Sequence, residues 1–167
     1  MNTATLETPA GPFTAVTDDD GAVLASGWTA DAEHLVHLIH PDLRGDGTVH
    51  HRADLGPATA AARAYHEGDL DAIAGIPVRQ RSGEFLMHAW DVLRTVEPGE
   101  PVSYTRYAAL AGRPAAVRAA ASACARNAAA LFVPCHRVVR TDGALGGFRW
   151  GTPVKQWLLD HEARAAT

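Results

Sequence analysis

The sequence predicts an α/β protein with an N-terminal β-rich unit, residues 1–80, and a C-terminal helical unit, residues 81–167. Three observations carry this expectation. Short apolar runs broken by turn residues fill the first eighty positions. Apolar residues spaced at three and four take over from Ser82. Charge divides at the same place: residues 1–80 hold twelve acidic and four basic side chains, residues 81–167 seven and eleven.

In chain order, Phe13–Thr17 and Ala22–Trp28 read as two strands, joined by the hairpin-type turn Asp18-Asp19-Asp20-Gly21. Ala30–Ile39 reads as a helix with Leu35, Val36 and Ile39 on one face. A polar stretch from Pro41 to Pro57 follows, then a short helix over Ala58–Tyr65 and a further strand at Ile76–Val78. Ser82 is placed to cap a helix whose stripe is Phe85, Leu86, Ala89, Trp90, Leu93 and Val96, ended by Pro98-Gly99. Ser103 is placed to cap Tyr104–Ala111, and Pro114 to open a third helix reaching about Arg126. Two helices joined by a Gly-containing turn make a helix-turn-helix candidate. Leu131–Val133 reads as a buried extended run, and Val138-Val139 as another, before the Thr141-Asp142-Gly143 turn. Thr152 is placed to cap a last helix, with Val154, Trp157, Leu158 and His161 on one face.

Composition sets limits. At 47% hydrophobic and 20% charged residues, a chain of 167 is globular and buries a core of ordinary size. No apolar run nears the ~18 residues of a membrane span. The N-terminus lacks the basic start and apolar stretch of a signal peptide. With two cysteines, Cys124 and Cys135, the reading is a cytoplasmic protein with reduced thiols. Residues 101–150 hold seven arginines and one acid, Asp142, a segment suited to a polyanion.

Two features bear on chemistry. Ten of the sixteen residues from Ala115 to Ala130 are alanine, with Arg118 and Arg126 among them. Such a helix either packs tightly in a core or lies close against another surface such as a nucleic-acid groove. The second is Val133-Pro134-Cys135-His136-Arg137-Val138-Val139. A cysteine beside histidine is either an activated nucleophile or a small buried hydrophobe. Neighbours in a strand face opposite ways, so only a turn after Pro134 brings the two together. His34, His37 and His40, spaced by three, read either as a metal-ligand set or, the favoured reading, as a polar helix face, so no metal or cofactor is expected.

Pro134-Cys135-His136-Arg137-Val138-Val139 resembles the active-site signature of the O6-alkylguanine-DNA alkyltransferases, the methylated-DNA–protein-cysteine methyltransferases of direct DNA repair. The resemblance runs from about Phe85 to Glu162. It is strongest toward the bacterial type, through Ala116-Val117-Arg118, Ala121-Ser122-Ala123-Cys124-Ala125 and Gly147-Phe148-Arg149-Trp150-Gly151. It implies a ribonuclease H-like N-terminal unit and a C-terminal unit with a DNA-binding helix-turn-helix.

It also implies roles. Cys135 accepts the alkyl group, His136 takes the thiol proton through a water, and Glu162 orients the histidine, leaving Cys135 partly ionised near neutral pH. Asn127 ties the recognition helix to the active-site loop, where the residue alone reads as a helix C-cap. Tyr104 helps to swing the nucleotide out and donates a proton toward guanine; alone it is a boundary aromatic. Arg118 fills the hole left in the duplex, and the carbonyls of Cys135 and Val138 accept from the guanine amine. Ser103, Arg113, Cys124, Arg126, Phe148 and Arg149 complete the substrate- and DNA-binding set, with Arg113 on phosphate.

The sequence departs from the family at Phe148, where tyrosine is common; at Ala128, where proline is common; and at Ser82-Gly83-Glu84-Phe85-Leu86. The cysteine ligands of zinc-bearing relatives are missing before Cys124. The implied partner is double-stranded DNA carrying O6-alkylguanine, met through its minor groove by a monomer away from any membrane. Two rival readings are a non-enzymatic lesion binder, which lacks the acceptor cysteine, and a thiol hydrolase or redox protein with an incidental basic face.

Overall fold

The computed structural model describes residues 1–165, which group into two units: residues 1–81 with 128–132, and residues 82–127 with 133–165. Residues 128–132 therefore leave the C-terminal stretch and add to the first unit. The fold is mixed α and β, with six α-helices and two small sheets among the described residues.

In the first unit, β1 (Asn2–Thr8) pairs antiparallel with β2 (Gly11–Thr17), and β2 with β3 (Val23–Gly27). The 18–21 turn forms as its residues dictate: Asp18 Oδ1 accepts from the backbone N–H groups of Asp20 and Ala22, both at 2.9 Å. β1 is absent from the sequence expectation because Thr3, Ala4 and Leu6, its buried residues, do not alternate cleanly. A two-residue strand, β4 (His50–His51), runs parallel to β1 and gives the order β3-β2-β1-β4. Ile76–Val78 makes only a single bridge, Val78 to Val23. Pro77 has no N–H to carry the ladder further.

α1 spans Ala32–Leu38, starting after Ala30 because Asp31 caps it, accepting from His34 N at 3.1 Å. α2 spans Pro57–His66. Phe13, Trp28 and His66 form an aromatic core, where Trp28 Nε1 donates to His66 Nε2 at 3.3 Å. No described helix is long and apolar enough to cross a membrane, and no three His, Cys, Asp or Glu among the described residues group as metal ligands.

The second unit positions the site. α3 (Glu84–Leu93) has Gly83 at its N-cap in place of Ser82, and ends at Leu93, so Val96 is buried outside the helix. α4 (Tyr104–Leu110) is capped by Ser103, whose hydroxyl accepts from Arg106 N at 3.0 Å. Gly112, at φ +86°, opens the connection to α5 (Val117–Arg126). Pro114 lies in that connection and not in the helix, which starts after Ala116.

Alanines on the inner face of α5, Ala120 and Ala123, let α3 and α4 approach closely; Trp90 Nε1 donates to Ala123 O at 2.8 Å, and Tyr107 Oη to Ala89 O at 2.6 Å. A 3-10 turn over Cys135–Arg137 leads into β6 (Val138–Val139), which pairs parallel with β5 (Val102–Ser103). α6 (Thr152–Ala165) includes Thr152 itself. Its buried residues are Lys155, Leu158, His161 and Glu162, so the inward stripe is turned from the expected one and Val154 falls off it.

Candidate active site

The run before the cysteine is a turn and not the extended strand expected of it. Leu131 sits at φ +80°, a left-handed conformation that costs a branched residue about 1–2 kcal/mol. Asn127, the C-cap of α5, donates from Nδ2 to Val133 O at 2.7 Å, so a side chain takes the place of a strand partner. Pro134 then precedes the 3-10 turn, which supplies the turn that adjacent Cys and His require. Cys135, His136 and Arg137 are all buried.

His136 Nε2 lies 2.8 Å from Glu162 Oε2. Arg137 reaches the same carboxylate from Nε, 2.9 Å from Oε1, and from Nη2, 2.9 Å from Oε2, while its Nη1 donates to Val96 O at 2.8 Å. Glu162 is thus ionised: although burial pushes its carboxyl up, His136 and Arg137 together hold it far below the usual carboxylate range. Burial pushes His136 down and outweighs the attraction of Glu162, so the imidazole rests neutral. A neutral ring that meets a carboxylate at Nε2 carries its hydrogen there, and the lone pair is at Nδ1. Nδ1 is buried with no hydrogen-bond partner among the described residues.

Burial also pushes the Cys135 thiol up, against the lowering effect of a hydrogen bond from Asn127 and of the charges on Lys155 and Arg149. The resting thiol is protonated, which corrects the expectation of a partly ionised Cys135. The Cys124 thiol, on α5, is also pushed up, by burial and by Cys135.

Sequence reasoning passed over two residues. Arg137 lies inside the signature but carried no role; it is the second partner that keeps Glu162 charged. Lys155 is fully buried on α6 and donates from Nζ to Leu145 O and, at 3.3 Å, to Gly147 O, holding the loop before Phe148. A signal existed: Lys155 is the only lysine beside fourteen arginines. A compact ammonium fits two converging carbonyls where a planar guanidinium does not.

β5 and β6 bring Tyr104 to the site, since Ser103 pairs with Val139 and Tyr104 follows. Tyr104 is half-buried, and burial with the neighbouring thiols pushes its hydroxyl up to about 12, so it is a neutral donor at pH 7. An open pocket of about 570 Å³ is lined by Tyr104, Val117, Arg118 and Ala121 together with Arg140, Thr141 and Asp142. Arg118 is exposed on α5.

The other expected residues scatter more widely. Val138 is buried in β6, and Phe148 is half-buried. Arg149 is turned back to Ala125 O at 2.6 Å. Arg113 lies over the Phe85 ring, 4.7 Å from its centre, and Arg126 is exposed at the end of α5; neither lines the pocket.

A buried thiol whose neighbouring imidazole is fixed by a carboxylate defines a protein equipped for nucleophilic cysteine chemistry. Residues 84–164 match the family model described as 6-O-methylguanine DNA methyltransferase, DNA binding domain. The methylated-DNA–protein-cysteine methyltransferase of Shigella flexneri is 32% identical over 94% of this chain and 92% of its own length. The bifunctional transcriptional activator/DNA repair enzyme Ada of Escherichia coli is 51% identical over 53% of this chain, which spans only 25% of that protein. Among solved structures, the O6-methylguanine methyltransferase of Mycobacterium tuberculosis superposes with a TM-score of 0.79 at 26% identity, covering 99% of this chain and 94% of that one. The chain belongs to the methylated-DNA–protein-cysteine methyltransferase family.

Proposed function

We propose that this protein repairs DNA by direct reversal, moving the alkyl group from O6 of guanine to Sγ of Cys135 in a single turnover. The observation that carries the reading is the buried contact between His136 Nε2 and Glu162 Oε2. With Nε2 committed to Glu162 at 2.8 Å, the ring nitrogen left without a hydrogen-bond partner among the described residues is the buried Nδ1, on the residue next to the thiol. Nδ1 takes the thiol proton, through a water, as the sulfur attacks. The S–C bond forms, and the C–O bond breaks with its electron pair passing to the purine. Tyr104, protonated at pH 7, gives the purine a proton. Charge on Lys155 favours the developing thiolate, which burial otherwise opposes. The product is a thioether, which no group of the site can cleave, so the protein acts once.

The target carbon is inside the base stack, so the nucleotide must leave the duplex at a cost of a few kcal/mol. In this reading α4 and α5 are a DNA-binding helix-turn-helix laid on the minor groove. Arg118 fills the vacated stack, the alanine face of α5 permits close approach, and the pocket between Tyr104 and Arg118 takes the flipped nucleotide. The carbonyls of Cys135 and Val138 accept from the guanine amine, Phe148 stacks on the base, and Ser103, Cys124, Arg126 and Arg149 flank the bound strand. Arg113 meets phosphate after leaving the Phe85 ring. The first unit, with its β3-β2-β1-β4 order, is read as a ribonuclease H-like structural domain. The protein is read as a cytoplasmic monomer that needs no cofactor.

The test is loss of O6-methylguanine from a duplex mixed with stoichiometric protein. The parent should clear the lesion, and Cys135→Ala should clear none. An active Cys135→Ala variant would overturn the assignment.

A further inference from the structure

The pocket has a second wall that the chemistry above does not use. Arg140, Thr141 and Asp142 face Tyr104 and Arg118 across it. This wall is a closed turn. Arg140 N donates to Ala144 O, and Gly143 N to Arg140 O, both at 2.9 Å. Asp142 Oδ1 accepts from Ala144 N at 3.0 Å, and Thr141 Oγ1 meets Thr105 Oγ1 of α4 at 2.9 Å. The stem of Arg140 is fixed against the site: a Cβ built on Gly146 would lie 3.4 Å from Arg140 Cγ and 3.3 Å from Tyr104 Oη. The guanidinium reaches solvent. Its Nη2 lies 3.4 Å from Asp142 Oδ2, and both side chains are about 60% exposed. Asp142 is also the single acid among residues 101–150, a segment with seven arginines. The one anion of the segment thus sits on the arginine that rims the pocket.

We propose that Arg140 and Asp142 form an exchangeable phosphate site, in which a phosphodiester oxygen of the bound strand displaces Asp142 from Arg140. The proposal rests on the DNA-repair reading above. The carboxylate is a placeholder for phosphate: both are anions that offer paired oxygens to the guanidinium fork. An exposed ion pair shifts an equilibrium by no more than about fivefold, so DNA displaces it readily. Asp142 remains beside the strand and weakens binding to any duplex, which limits time spent on undamaged DNA. Arg140 anchors the strand beside the nucleotide that enters the pocket.

The test is a double-variant cycle with Arg140→Ala, Asp142→Asn and both together, measuring affinity for an undamaged duplex across a range of salt. Asparagine keeps the acceptor for Ala144 N, so the turn survives. Arg140→Ala should lower affinity up to about fivefold near 0.1 M salt and reduce the salt slope by about 0.9. Asp142→Asn should raise affinity severalfold in the parent and much less in the Arg140→Ala background. An unchanged slope in Arg140→Ala overturns the phosphate site. An equal gain from Asp142→Asn in both backgrounds overturns the exchange, because the carboxylate then acts only by distant repulsion. Benzyl transfer by the parent from free O6-benzylguanine tests the repair reading separately, since that substrate has no phosphate.

Discussion

Exchanging Glu162 for glutamine probes the buried charge network by altering one atom. The carboxylate accepts from His136 at 2.8 Å and from two nitrogens of Arg137 at 2.9 Å. Glutamine fills the same space with one acceptor and one donor. Its NH₂ faces either Arg137 or His136, and the guanidinium loses its counter-charge. Removing one side of a buried pair costs about 3–5 kcal/mol. For a chain of this size each kcal/mol lowers Tm by roughly 2–4 °C, so the loss is about 6–20 °C. Transfer falls for a separate reason. The His136 ring is no longer held with its lone pair at Nδ1, and general-base assistance is worth about 10²–10⁴ in rate.

The double variant Glu162→Gln with Arg137→Met separates the two effects. Both buried charges are gone, so part of the stability returns, although Val96 O loses its donor. The imidazole still lacks its carboxylate, so transfer stays slow. Thermal scanning and rapid-quench single-turnover transfer read the two quantities. Glu162 is 1% exposed, so affinity for undamaged duplex should stay within about twofold in every variant. A Glu162→Gln variant that melts within a degree of the parent and transfers as fast would remove the network from both roles. A double variant that regains its rate with its Tm would show that the rate loss was a folding defect.

The same pair has a pH signature. Glu162 is held below its ordinary 4.5, so its stabilisation is complete above that pH and drains as pH falls through it toward the lower native value. The Tm gap between parent and Glu162→Gln should narrow below about pH 4.5, and a constant gap would contradict the charged state. Because burial holds His136 below its ordinary 6.5, the acid limb of the transfer rate should lie below pH 6.5; a midpoint above that value would contradict a neutral resting imidazole. Lys155→Met should move the pH profile of Cys135 alkylation by iodoacetamide upward, because the lost cation lowers the thiol in the parent, and an unmoved profile would confine Lys155 to holding the loop. Arg118→Ala should slow transfer from duplex far more than from free O6-benzylguanine, which needs no flipping. Equal slowing would make Arg118 a support of the pocket.

The signature Pro134–Val139 was readable as chemistry because its residue types are reactive, and Ser103 was readable as a cap because a hydroxyl before a helix has one common use. The network around Glu162 was less so. Arg137 and Glu162 are twenty-five residues apart, and nothing in a helical glutamate distinguishes a buried one from a solvated one. Lys155 was hidden for the same reason, apart from its being the only lysine. Pro114 misled because the φ that suits a first helical turn also suits the connection in which it lies. The extended run at Leu131 failed because Asn127 supplies the hydrogen bond that a strand neighbour would have given Val133.

Intact-mass analysis and peptide mapping after mixing with excess O6-methylguanine duplex test the central claim most directly. Each chain should gain one methyl, on Cys135 and not on Cys124, and repair should stop when the protein is consumed. Sustained turnover, or a methyl found on Cys124, would contradict single-use transfer to Cys135.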